Sequence, residues 1–227
     1  MIVTKVFKTV NNFHLYKNQE EAIRPKKIAF FTSDGPMGEN LIKAALRRGH
    51  SVTAVVPDKT NFKIIHPSLE VVKGNVMNSR DVKRYVGGCE VVIYAHEFTK
   101  CEQQEDVMIA LSLIKGVNSR IKNLIVSGHG LLEPIILTYR EYQEWPSVQH
   151  QQLLALSVIR SEPGLRWSYF YTLEPEPDGI NSRFILGKDF VIASNEGVTK
   201  MPFREFSTAL INEAEKRKFV WLEGEFD

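Results

Sequence analysis

Residues 26–49 read KKIAFFTSDGPMGENLIKAALRRG and constrain the fold more than any other stretch of the chain. Residues 28–31 form a short apolar run that ends in the polar turn Thr32-Ser33-Asp34-Gly35. Such a run suits a strand buried on both faces. A helix is predicted next: Leu41 and Ala45 stack at i,i+4, as do Ile42 and Leu46, while Lys43, Arg47 and Arg48 point outward. Gly49 stands where a left-handed C-terminal glycine belongs. Residues 51–56, Ser-Val-Thr-Ala-Val-Val, make a second strand. Strand, glycine turn, helix and strand in this order open a dinucleotide-binding α/β fold, with Gly35 and Gly38 in the turn.

The remaining chain repeats the alternation. Further strands are predicted at 69–72, 90–94, 123–127 and 167–171. Asn78 or Ser79 caps a helix that carries Val82, Tyr85 and Val86 inward and stops at Gly87-Gly88. Helical periodicity returns with Val107, Leu111 and Ile114, and again over 148–160. Strands separated by helical patterns imply a doubly wound, mainly parallel sheet with helices on both faces. Later, residues 184–186 and 190–193 flank Gly187-Lys188-Asp189 and read as a hairpin. Pro202 begins a last helix with Phe206, Ala209 and Leu210 buried, and 219–222 reads as a final strand. The second half thus adds a small C-terminal α+β subregion on the substrate side. Residues 1–24 precede this unit as an extension, either an extra strand or an arm packing on the domain or on a second subunit, which leaves 25–227 as one domain.

Composition excludes several function classes. A net charge of +2 over 227 residues gives no electrostatic footprint for nucleic acid, and no apolar run approaches a membrane span. Cys89 and Cys101 match no zinc or disulfide framework, which favours a reducing, cytoplasmic setting. The six histidines are scattered without ligand spacing, so no metal is expected.

Taken together, IAFFTSDGPMG, LIKAALRRGHSVTAVV, LEVVKGNVMNSRDVKRYVGGCEVVIYA and NLIVSGHG, followed by IRSEPGLRWSYF and MPFREFSTALINEAEK, resemble the atypical short-chain dehydrogenase/reductases. The similar groups are the NmrA-like proteins and the biliverdin-IXβ and flavin reductases. The resemblance implies a Rossmann sheet holding NADP or NAD. It places Thr32, Asp34, Gly35, Pro36, Met37 and Gly38 at the pyrophosphate, Asp58 and Lys59 at the adenosine ribose, Asn75 and Val76 beside the adenine, and Ala95 and His96 along the cofactor. Ser127 and His129 are the candidate catalytic residues, bordering the nicotinamide. Tyr139, Tyr142 and Trp145 would offer an aromatic platform to a planar substrate, or simply pack a lid on the sheet edge.

The departures from that pattern are specific. Thr32 replaces the family's first glycine, and Asp34 its threonine; a carboxylate there would cap the helix amides in competition with a phosphate. Pro57 stands where NADP-dependent relatives have arginine. The Tyr-x-x-x-Lys pair is absent, since Gln143 and Pro146 follow Tyr139 and Tyr142 at that spacing. Two functions are therefore expected in parallel: an NAD(P)H-dependent reductase passing hydride to a planar acceptor such as flavin, or an inactive Rossmann protein acting as a regulatory or structural binding module. The partner is accordingly a small planar substrate or a protein, and a homodimer is compatible with either.

Overall fold

The computed structural model describes residues 3–10, 24–32, 35–60, 62–95, 105–117, 121, 123–129, 147–172, 175–176, 183–188 and 201–215. In chain order the elements are β1 (Val3–Val10), β2 (Lys27–Phe31), α1 (Pro36–Arg47), β3 (Ser51–Val56), β4 (Leu69–Lys73), α2 (Ser79–Tyr85), β5 (Val91–Ala95) and α3 (Glu105–Gly116). They continue with β6 (Asn123–His129), α4 (Ser147–Arg160), β7 (Trp167–Thr172), β8 (Pro175–Glu176), β9 (Arg183–Lys188), β10 (Met201–Pro202) and α5 (Phe203–Glu215).

One eight-stranded sheet runs in the order β4-β3-β2-β5-β6-β7-β1-β9. Its first six strands are mutually parallel. β1 joins β7 antiparallel and carries β9 on its other side in parallel. This is the doubly wound α/β fold expected from the alternation. β2 shows why the centre is apolar throughout: Ile28 and Phe30 face one core, Ala29 and Phe31 the other, and all four are at most 1% exposed. Each Phe buried this fully contributes about 1.5–3 kcal/mol by removal from water. α1 and α5 cover the first face; α2, α3 and α4 cover the second.

Helix ends follow their local chemistry. Gly49 has φ +79, and the amides of Gly49 and His50 bond the carbonyls of Leu46 and Ala45, closing α1 in a Schellman motif. Asn78 caps α2 by accepting from the Arg80 amide at 3.0 Å. Three sequence expectations are corrected. Leu111 is exposed, because the buried stripe of α3 is Ile109, Ala110, Ser112, Leu113 and Gly116. Gly187 and Lys188 belong to β9, paired with Phe7 and Lys8, where a hairpin turn was expected; residues 190–193 lie outside the described residues. Pro202 pairs with Glu176 in β10, and α5 begins one residue later.

A buried polar clasp fastens α5 to the edge of the sheet where β2 begins. His50 is fully buried; its Nδ1 accepts the Lys26 amide at 3.1 Å, so Nε2 carries the proton that it donates to Glu215 at 3.0 Å. Arg48 donates to the same carboxylate at 2.9 Å and to Asn212 at 2.6 Å. Lys26 Nζ reaches the Ala214 carbonyl at 2.7 Å, and Ser168 donates to buried Glu213 at 2.6 Å. Burial holds the His50 pKa below its usual value, against the raising effect of Glu215.

Candidate functional site

The strand order reverses direction between β2 and β5: the chain moves from β2 outward to β3 and β4, then returns to β5 and proceeds to β6 and β7. Ligands of open α/β sheets bind outside the carboxyl ends of the strands at such a switch point. Thr32, Pro57-Asp58, Gly74-Asn75, Ala95, Ser127 to His129 and Thr172 therefore share one edge. Register brings Ala95 opposite Ser127, Ser127 opposite Phe170, and His129 opposite Thr172.

At the centre of that edge α1 starts from Gly35, whose backbone is extended and which has no side chain to cap the helix amides. Pro36 has no N–H to satisfy, so the first-turn amides that no helix carbonyl can reach are those of Met37 and Gly38. The Met37 side chain is 2% exposed and sits in the core, which leaves only its backbone for a ligand. Beside it Thr32 is buried, and its Oγ1 has no hydrogen-bond partner. The other orphaned buried atoms among the described residues belong to Ser112, Gln152 and Trp167, on elements of the second face.

The flanking positions are more committed to their own turns. Asp58 is exposed and accepts the Thr60 amide at 3.0 Å; that hydrogen bonding holds its pKa below the ordinary carboxylate value. Lys59 is exposed next to it. Asn75 Oδ1 accepts the Met77 amide at 2.9 Å, and the Asn75 amide donates to Asp81 at 3.0 Å. Val76 is half-buried against the core of the second face. Gly74 is required by space: a Cβ there would lie 2.6 Å from Val55 Cγ1 and 2.8 Å from Tyr85 Cε2.

Ser127 is 1% exposed at the carboxyl end of β6, and His129 closes that strand. Asp34, His96, Tyr139, Tyr142 and Trp145 lie outside the described residues. A residue that the sequence reading passed over is Asp106, in the first turn of α3, whose carboxyl is pushed up to about 6 by burial. The signal was present in the spacing: Asp106 precedes buried Ile109 and Ala110 by three and four residues, which puts it on the inward face. Cys89 is a free, buried thiol whose pKa burial raises, so it is not poised as a nucleophile. Among the described residues, no three His, Cys, Asp or Glu side chains group to hold a metal ion, and no helix is long and apolar enough to cross a membrane.

Fold and edge together define a Rossmann-like α/β protein with its switch point at the β2–α1 turn. Residues 33–168 match the NAD(P)H-binding family, and the chain belongs to that family. No curated protein matches its sequence. Among solved structures, it is similar to a candidate epimerase from Bacteroides thetaiotaomicron, at 24% identity and TM-score 0.70, covering 89% of this chain and all (100%) of that one. A candidate NADH-flavin reductase from Streptococcus pneumoniae TIGR4 aligns at 18% identity and TM-score 0.63, covering 86% and 95%. A wide-type short-chain dehydrogenase/reductase from Veillonella parvula DSM 2008, solved in complex with NADP, aligns at 16% and 0.59, covering 85% and 88%. At these identities the three share the fold. Family membership supports binding of a nicotinamide dinucleotide.

Proposed function

We propose that the chain is an NAD(P)H-dependent reductase that passes hydride to a planar acceptor such as a flavin. The observation that carries this reading is the buried hydroxyl of Thr32, without a hydrogen-bond partner among the described residues, beside the N-terminus of α1 at the switch point. A helix N-terminus with free amides favours a phosphate, and a buried hydroxyl without a partner is costly until a ligand satisfies it. The residues present thus fit a dinucleotide. Met37 and Gly38 amides with Thr32 would hold its pyrophosphate; Asp58 and Lys59 would border the adenosine ribose, Asn75 and Val76 the adenine, and Ala95, Ser127 and His129 the nicotinamide end. When bound, the reduced nicotinamide supplies the hydride. The protein's contribution is to orient the two rings and exclude water, which suffices for an acceptor that needs no tyrosine acid. The two cysteines match no disulfide framework, and a reducing, cytoplasmic setting is part of the same reading.

The test is NADPH and NADH oxidation by the purified protein with FMN as acceptor. Acceptor-dependent oxidation well above the protein-free rate is expected; none with either cofactor overturns the reading. One observation favours a second reading, a binding module without turnover: the Asp58 and Asn75 side chains are already bonded within their own turns. Cofactor binding without oxidation would select it.

A further inference from the structure

We propose that Asp106 is the proton donor to the hydride acceptor, a role that rests on the reductase reading above. α3 leaves the edge where β5 ends at Ala95 and leads to β6, which returns to that edge at Ser127. Its first turn therefore stands at the carboxyl ends of the two strands that border the nicotinamide end of the cleft. Asp106 lies on the helix face that carries Ile109, Ala110 and Leu113 into the core, and it is half-buried. Among the described residues it makes no hydrogen bond or ion pair, unlike the carboxylates of Glu213 and Glu215 in the clasp. Burying a carboxyl without a hydrogen bond costs more than a first-turn acid ordinarily gains from the helix N-terminus.

The charged and titratable groups on the elements packed against α3 are Arg80, Asp81, Lys83, Arg84 and Tyr85 on α2, His150 and Arg160 on α4, and Tyr94 and Tyr169 on β5 and β7; α3 itself adds Glu105 and Lys115. None contributes to the shift of Asp106, for which burial is the one cause. Protonated up to about pH 6, the group is a carboxylic acid able to give its proton near neutrality. The step balances simply. The acceptor takes a hydride, with both electrons, from the reduced nicotinamide; the Asp106 O–H bond breaks and its proton goes to the acceptor heteroatom that gains negative charge. The carboxylate left behind takes its next proton from water.

Two measurements test this. In protein labelled with carbon-13 at the Asp carboxyls, the resonance lost in Asp106→Asn should titrate near pH 6 and shift on addition of FMN. A resonance that FMN at millimolar concentration leaves unchanged overturns the proposal without reference to turnover. In NAD(P)H oxidation with FMN, the wild type should lose rate as pH rises through about 6. Asp106→Asn should be slower by about 10²-fold and flat across that range. A variant that keeps the wild-type rate and pH profile overturns the proton donor while leaving the reductase reading intact. A wild type with no turnover overturns both.

Discussion

Gly116→Ala offers a sharp test of how α3 is seated. In an exposed helix, replacing Gly by Ala is worth up to about 1 kcal/mol in favour of folding. Here the added Cβ would lie 2.3 Å from Val82 Cγ1, 2.4 Å from Val82 Cβ and 3.1 Å from the Lys83 amide nitrogen. Carbon atoms pack at roughly 3.5–4.0 Å, so the overlap exceeds an ångström. Turning Val82 to another rotamer does not relieve it, because its Cβ is fixed by the backbone and the side chain is 0% exposed. α2 and α3 must move apart, at an overpacking cost of about 1–3 kcal/mol with the upper end expected. The net effect is a loss of about 1–2 kcal/mol, and at 2–4 °C per kcal/mol for a chain of this size the thermal midpoint should fall by roughly 2–8 °C. Thermal unfolding followed by circular dichroism measures it. Gly87→Ala is the control: its Cβ would meet only the Arg84 carbonyl at 3.4 Å, and its effect should be smaller. A midpoint for Gly116→Ala that is unchanged or raised refutes the close α2–α3 contact, and with it the placement of Asp106.

Three further outcomes follow from the same structure. The His50 pKa is lowered on folding, so its contribution to stability is complete above its unfolded value of about 6.5 and is lost as pH falls through the folded value; wild-type stability should drop on acidification below about 6.5, and His50→Gln should lack that part of the drop in urea titrations at several pH values. Thr32→Val replaces an unpartnered buried hydroxyl by a methyl group, so the apo protein should unfold about 1 kcal/mol later while NAD(P)H binds more weakly, read by calorimetry. Asp34→Thr removes a negative charge from the loop before α1 and should tighten NADPH and NADH binding; unchanged or weaker affinity would show that the carboxylate is harmless.

The central unit was legible because its signals are local. The apolar run of β2, the stripe of α1 and the positive-φ position of Gly49 all lie within a few residues of what they determine. The cap of α2 was narrowed to Asn78 or Ser79 for the same reason, since the amide that Asn78 accepts is two residues away. Long-range packing was less visible. The stripe containing Leu111 was taken from spacing alone, whereas α3 turns its small residues, Ala110, Ser112 and Gly116, toward its neighbours and leaves Leu111 in solvent. Gly187-Lys188 looks like a turn until β1 supplies a neighbouring strand from the far end of the chain. The clasp joins Lys26 and His50 to residues more than 160 positions later, which no window of sequence reveals. At the carboxyl edge of the sheet, Ala95 was correctly assigned to a strand end while β6 runs two residues past Ser127 to His129, and that Asp58 and Asn75 bond their own turns depends on side-chain geometry that residue type does not specify.

The account stands on the β2–α1 turn being a working dinucleotide site, and titration calorimetry of the wild-type protein with NADPH and with NADH addresses that most directly. Saturable one-site binding of at least one of them is predicted. A ligand present at a hundred times its dissociation constant should also add about 2.7 kcal/mol to stability, seen as a rise in the thermal midpoint. No heat of binding and no change in midpoint with either cofactor at millimolar concentration would contradict it.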